Sequence, residues 1–122
     1  MATGIIHKTD VSGGAEYSKL PDGTLICWGS KSYDLSNKVS QSSPAYKYWY
    51  VECVEDINFP VPFYTTPSLT VTKTGGNGTT NVGWVGFNAT KITEIDFIFP
   101  AEPVLTSAAP TICWQAIGRW KA

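Results

Sequence analysis

The sequence predicts an all-β fold, a six-stranded antiparallel β-sandwich, on three observations. Five Trp, six Tyr and five Phe stand against a single Met, and aromatic and β-branched residues suit a pleated, half-buried surface. Eleven Gly and eight Pro punctuate the chain as turn formers do. No segment repeats apolar residues at the helical period, whereas several short runs alternate polar with apolar.

Residues 1–22 read as an arm or linker, polar and glycine-bearing, with little to bury alone. Residues 23–122 hold the strands. "TLICWGS" (24–30) follows Pro21-Asp22-Gly23, a turn signature. "YKYWYVECVEDINF" (46–59) is long for one strand and calls for a bulge or bend near Glu55-Asp56. "SLTVTKT" (68–74) sets Leu69, Val71 and Lys73 on one face. "NVGWVGFNAT" (81–90) and "KITEIDFIF" (91–99) abut closely enough to form a hairpin, with Ile95, Phe97 and Phe99 opposite Glu94 and Asp96. "TICWQAIGRW" (111–120) closes the series with Ile112, Trp114, Ala116 and Gly118 on one side. With no helix to cover them, such strands bury their apolar faces most economically as two stacked sheets. Pro60, Pro62 and Pro67 keep strands from running on, since proline cannot donate to a ladder.

If every strand crosses the sandwich once, the polar connections 31–45, 75–80 and 100–110 share one pole and the arm lies at the other. Loops gathered on a rigid scaffold are where binding usually resides. The loop candidates are Tyr33, Asp34, Asn37, Asn77, Thr79, Asn81, Trp84 and Glu102.

Nine basic and ten acidic residues give a net charge of −1 with no block of one sign, which argues against a nucleic-acid or anionic-membrane partner. "MATGIIHKTD" lacks the basic start and apolar run of a signal peptide. No apolar stretch approaches the ~20 residues of a membrane helix, so no membrane insertion is expected. Cys27, Cys53 and Cys113 are odd in number and lack Cys-x-x-Cys spacing, which fits buried reduced thiols.

Catalysis finds weak support, and no phosphate-loop, zinc or calcium spacing calls for a cofactor or metal. His7, the single histidine, sits in the arm. A carboxylate pair drawn from Glu52, Glu55, Asp56, Glu94 and Asp96 is the remaining enzymatic option, although Glu94 and Asp96 also read as the solvent face of a strand. Among the tryptophans, Trp28 and Trp114 read as core, while Trp84 stands between glycines and suits either core or a sugar-stacking site. Asn77-Gly78-Thr79 and Asn88-Ala89-Thr90 match the glycosylation triplet and read as turn residues. Aromatics on both faces around Tyr48 and Trp49, and Ile117 opposite the core side of the last strand, call for a second covered surface between copies.

"YSKLPDGTLICWG", "INFPVPFYTTPSLTV", "VGFNAT" and the closing "WQAIGRWKA" together resemble the carboxy-terminal domain of bacteriophage and prophage tail fibres. The matching positions are Trp28-Gly29, Phe59-Pro60, Phe63, Pro67, Gly86-Phe87-Asn88-Ala89-Thr90 and Trp114-Gln115-Ala116-Ile117-Gly118, covering roughly residues 17–122. From residue 57 onward the pattern is also similar to the H-type lectins, trimeric sandwiches that bind N-acetylgalactosamine-like sugars. The resemblance implies a homotrimeric tip of a virion tail fibre that binds a bacterial surface saccharide without enzymatic activity, joined to the rest of the fibre and made in the bacterial cytoplasm. It brings no binding residue, because the shared positions are scaffold. The stretch 31–50 has no counterpart in the pattern. A trimerisation domain that binds nothing and a stand-alone bacterial lectin are the alternatives.

Overall fold

The computed structural model describes residues 6–9, 15–35, 41–43, 48–77, 81–99 and 109–122. Within them the chain is all-β, with no helix. The strands are β1 (Ile6–Thr9), β2 (Glu16–Lys19), β3 (Thr24–Ser32), β4 (Gln41–Ser43), β5 (Tyr48–Cys53), β6 (Ile57–Asn58), β7 (Ser68–Asn77), β8 (Asn81–Phe87), β9 (Lys91–Phe99) and β10 (Ala109–Arg119). Two antiparallel sheets result, one ordered β1-β2-β3-β10-β7, the other built on β9, with β4, β5 and β6 to one side and β8 to the other.

The expected count of six is corrected to ten among the described residues. All six expected strands are present as β3, β5, β7, β8, β9 and β10. The long 46–59 candidate breaks at residues 54–56 into β5 and β6, which both pair with β9; the break is exposed, and there Glu55 and Asp56 pair with Lys31 and Lys91. The segment read as an arm supplies β1 and β2, and β2 extends the first sheet through Glu16↔Trp28 and Lys19↔Leu25.

The Pro21-Asp22-Gly23 turn closes the β2–β3 hairpin. Gly23 N–H donates to the Leu20 carbonyl at 3.0 Å, Thr24 N–H donates to Asp22 Oδ1 at 2.9 Å, and Gly23 adopts φ 100°. That left-handed value suits glycine alone without strain, which explains the residue's place in the turn. The β8–β9 hairpin turns on Asn88, whose Oδ1 accepts the Thr90 and Lys91 amides at 2.8 and 3.1 Å. This is the turn role expected for the Asn88-Ala89-Thr90 triplet.

Alternation places Leu25 and Cys27 of β3, Ile112, Trp114 and Ala116 of β10, Val51 and Cys53 of β5, and Ile95 and Phe97 of β9 in one core. Phe59 and Phe63 complete it, edge to face at 5.2 Å, with Phe59 tilted against Trp114 at 5.5 Å. Phe63 lies against Gly118, where a β-carbon would stand 2.9 Å from its ring. Burial raises the Cys27 thiol to about 11, so it stays protonated. Cys113 departs from the expected burial: it is an exposed thiol on the other side of β10.

Trp28 also departs from expectation. It lies on the outward side of β3, half-buried, and its Nε1–H donates to Glu16 Oε2 at 2.8 Å. Strand alternation dictates this, since Leu25 and Cys27 already take the inward positions.

The first sheet brings Ser32 opposite Thr111 and Asn77 opposite Ala109; the second brings Trp49 opposite Phe99 and Asn81 opposite Ile98. Residues 78–80 bridge Asn77 to Asn81, so these strand ends lie at one pole. The Leu20–Gly23 and Asn88–Thr90 turns mark the other, where Ile6 stands opposite Lys19.

Candidate functional site

The outer face of the second sheet holds the densest chemistry among the described residues. Asp96 of β9 lies between Glu52 of β5 and Trp84 of β8, and Glu94 lies opposite Gly86. Because Ile95 and Phe97 turn inward, Glu94 and Asp96 must turn outward. Oxygens of Glu52, Glu94 and Asp96 fall within 4.8 Å of one another, the spacing at which carboxylates could share a cation or a proton.

Asp96 Oδ1 is buried with no hydrogen-bond partner. Burial pushes Asp96 up to about 7, and the hydrogen bond and negative charge of Glu94, then the charge of Glu52, add to the rise. Asp96 therefore keeps its proton well above the ordinary carboxylate range.

Trp84 reaches this face through a register shift. Val82 pairs with Phe97 and packs against the core, whereas Trp84 pairs with Asp96, so Gly83 is an extra residue between them. Plain alternation would send Val82 and Trp84 to the same side; the bulge turns Trp84 outward. Its ring is 57% exposed and lies over Gly86, where a β-carbon would stand 3.1 and 3.2 Å from ring atoms. A flat indole beside carboxylates can stack on the C–H face of a sugar while the acids accept hydrogen bonds from its hydroxyls.

The other candidates are dispersed. Tyr33 is in the core at 4% exposure, edge-on to Phe97 at 5.1 Å, and burial drives its hydroxyl pKa far up. The loop position expected for it is thus corrected: its amide donates to the Pro110 carbonyl at 2.9 Å, and the ring fills the gap between the sheets. Asp34 and Asn81 are exposed near the loop pole, and Asn77 ends β7. Asn37, Thr79 and Glu102 lie outside the described residues. Tyr48 and Trp49 open β5, and Ile117 is 44% exposed on β10.

Of the acids weighed for catalysis, Glu55 pairs with Lys31 at 3.2 Å and Asp56 with Lys91 at 2.9 Å, leaving Glu52, Glu94 and Asp96 as the group that converges. His7 falls in β1.

Neither a protein-family model nor a curated protein matches the sequence. Solved structures do. A structure of the P. aeruginosa R1 pyocin fibre comprising C-terminal residues 323–701 superposes with a TM-score of 0.56 over 96% of this chain, at 16% identity. The likeness is one of fold. This chain spans 28% of that one. An N-truncated R1-type pyocin tail fibre gives the same score and identity, and there 87% of its length is covered.

Proposed function

We propose that the chain is the receptor-binding tip of a bacteriophage or prophage tail fibre, a non-enzymatic homotrimer that recognises a saccharide on the bacterial surface. The observation that carries this reading is the fold match, over 96% of the chain, to a pyocin tail fibre. It agrees with the order of the sequence motifs that resemble tail-fibre termini. The protein then resides in the virion, joined to the rest of the fibre, and binds its saccharide as a lectin does, without cleaving it.

The saccharide contacts assigned here are Trp84, with Glu52, Glu94 and Asp96 beside it, and Asn81 three residues back along β8. Weak sites repeated on three chains gain avidity without any new contact. Purified protein should block adsorption of the parent particle to its host, and Trp84→Ala should abolish the block. Full blocking by the variant would remove Trp84 from the site. An assembled protein that blocks nothing would favour a fibre-registering role. The motif residues Phe59, Phe63 and Trp114 lie in the core, which fits either reading.

A further inference from the structure

We propose that copies of this chain meet on the outer face of the first sheet, the side of β3, β10 and β7 turned away from the core. This rests on the trimeric reading above and names the surface that reading needs.

The inward side of β10 is filled by Ile112, Trp114 and Ala116, at 0, 3 and 0% exposure. The outward side carries Ile117, 44% exposed, directly opposite Ile26 of β3. The next row outward pairs Trp28 with Gln115. From Ile26 to Ser30, Cys113 to Ile117 and Ser68 to Thr72, no outward residue is charged. The nearest acid, Glu16 on β2, accepts the Trp28 indole hydrogen bond at 2.8 Å. An exposed strand face in water ordinarily carries Lys, Glu or Arg; this one carries isoleucine, an indole and small polar groups.

Charge decides the occupant. On a face turned toward a three-fold axis, residues near the axis approach their own copies, so a charged face meets like charge while a neutral one is compatible with itself. The outer face of the second sheet fails that condition, because Glu52, Glu94 and Asp96 crowd within 4.8 Å. Packing copies there would also cover Trp84. A strongly charged partner would find little counter-charge on the first sheet's face, since Glu16 is bonded to the Trp28 indole and Arg119, at the end of β10, to the Asp22 carbonyl at 2.7 Å. A second copy of the same face satisfies both conditions. Of the interface residues expected from the sequence, Ile117 is kept, and Ile26 and Trp28 replace Tyr48 and Trp49, which lie on the second sheet.

The test uses light scattering on the full chain, with circular dichroism to check folding. Wild type should weigh three times the 13.3 kDa chain mass. Ile26→Asp with Ile117→Asp should fall to monomer mass with the sheet spectrum kept, while Tyr48→Ser with Trp49→Ser stays trimeric. A trimer that survives the isoleucine changes and dissociates on the Tyr48/Trp49 changes overturns the face but keeps the trimer. A monomeric wild type at tens of micromolar overturns both. Should the aspartate variant fail to fold, Cys113 reports instead, since it is exposed on a single chain while Cys27 and Cys53 are buried. In the assembled protein it should react with a thiol reagent at least tenfold more slowly than on dilution to monomer. One fast thiol per chain at both concentrations overturns the proposal.

Discussion

Gly29 stands directly opposite Trp114 across the β3–β10 ladder, and the Trp114 indole occupies the space beside it, with ring atoms 2.9 Å from where a β-carbon would sit. The two tryptophan-bearing phrases near the ends of the chain are thus adjacent strands, and one supplies the room that the other's ring fills. Alanine at position 29 must push the indole toward Phe59, itself in contact at 5.5 Å. Gly29→Ala should therefore cost about 1–3 kcal/mol, read as a lower urea midpoint at unchanged slope.

Residues 119 and 120 are tied back to the β2–β3 turn. Trp120 Nε1–H donates to the Leu20 carbonyl at 2.9 Å, its amide donates to the Gly23 carbonyl at 2.9 Å, and Arg119 reaches the Asp22 carbonyl at 2.7 Å. Lys19 and Lys121 flank the indole at 5.0 and 4.9 Å. Trp120→Phe keeps an aromatic ring and removes one partly buried hydrogen bond, so it should lose about 1 kcal/mol. The β2–β3 turn amides should exchange faster in the variant than in wild type.

Stability should depend on pH through Asp96. Its carboxyl lies at about 7 in the folded chain against an ordinary 3.8, so the folded state binds the proton more tightly than the unfolded state does. The stability from this group is complete below the ordinary value and is lost as pH rises through the folded one. Unfolding midpoints should fall between pH 5 and pH 8, by less than a fully buried carboxyl would give, because solvent screens a partly exposed group. Asp96→Asn should flatten that slope and raise stability at pH 8 relative to wild type.

The Asn88 side chain organises the β8–β9 turn by accepting from the Thr90 and Lys91 amides and the Thr90 hydroxyl. Asn88→Ala should cost about 1 kcal/mol, measured in the same denaturant series. Asn88→Asp should cost less, since a carboxylate accepts the same bonds.

Much of the fold was legible in the residues. Alternation in "KITEIDFIF" put Ile95 and Phe97 inside and Glu94 and Asp96 outside, as found. The glutamate-aspartate break in the 46–59 run marks where β5 ends and β6 begins. Short pairings were not legible: β1, β2 and β4 are only three or four residues long and exist through the ladder of a neighbour. Trp28 misled because β3 is apolar on both sides, and the side chosen depends on which face the opposing sheet covers. Tyr33 misled because a polar connection can still send one ring inward when the sheets leave a gap. For Trp84 the useful signal was present but unread. A glycine before an aromatic in an alternating run marks a bulge, and a bulge reverses the face of everything after it.

The most direct measurement is binding of the assembled chain to an array of bacterial surface glycans, wild type against Trp84→Ala. Wild type should bind at least one glycan, and the variant, folded and of the same mass, should lose that binding by tenfold or more. An assembled wild type that binds none of them, or a variant that binds as well as wild type, would contradict saccharide recognition on the second sheet.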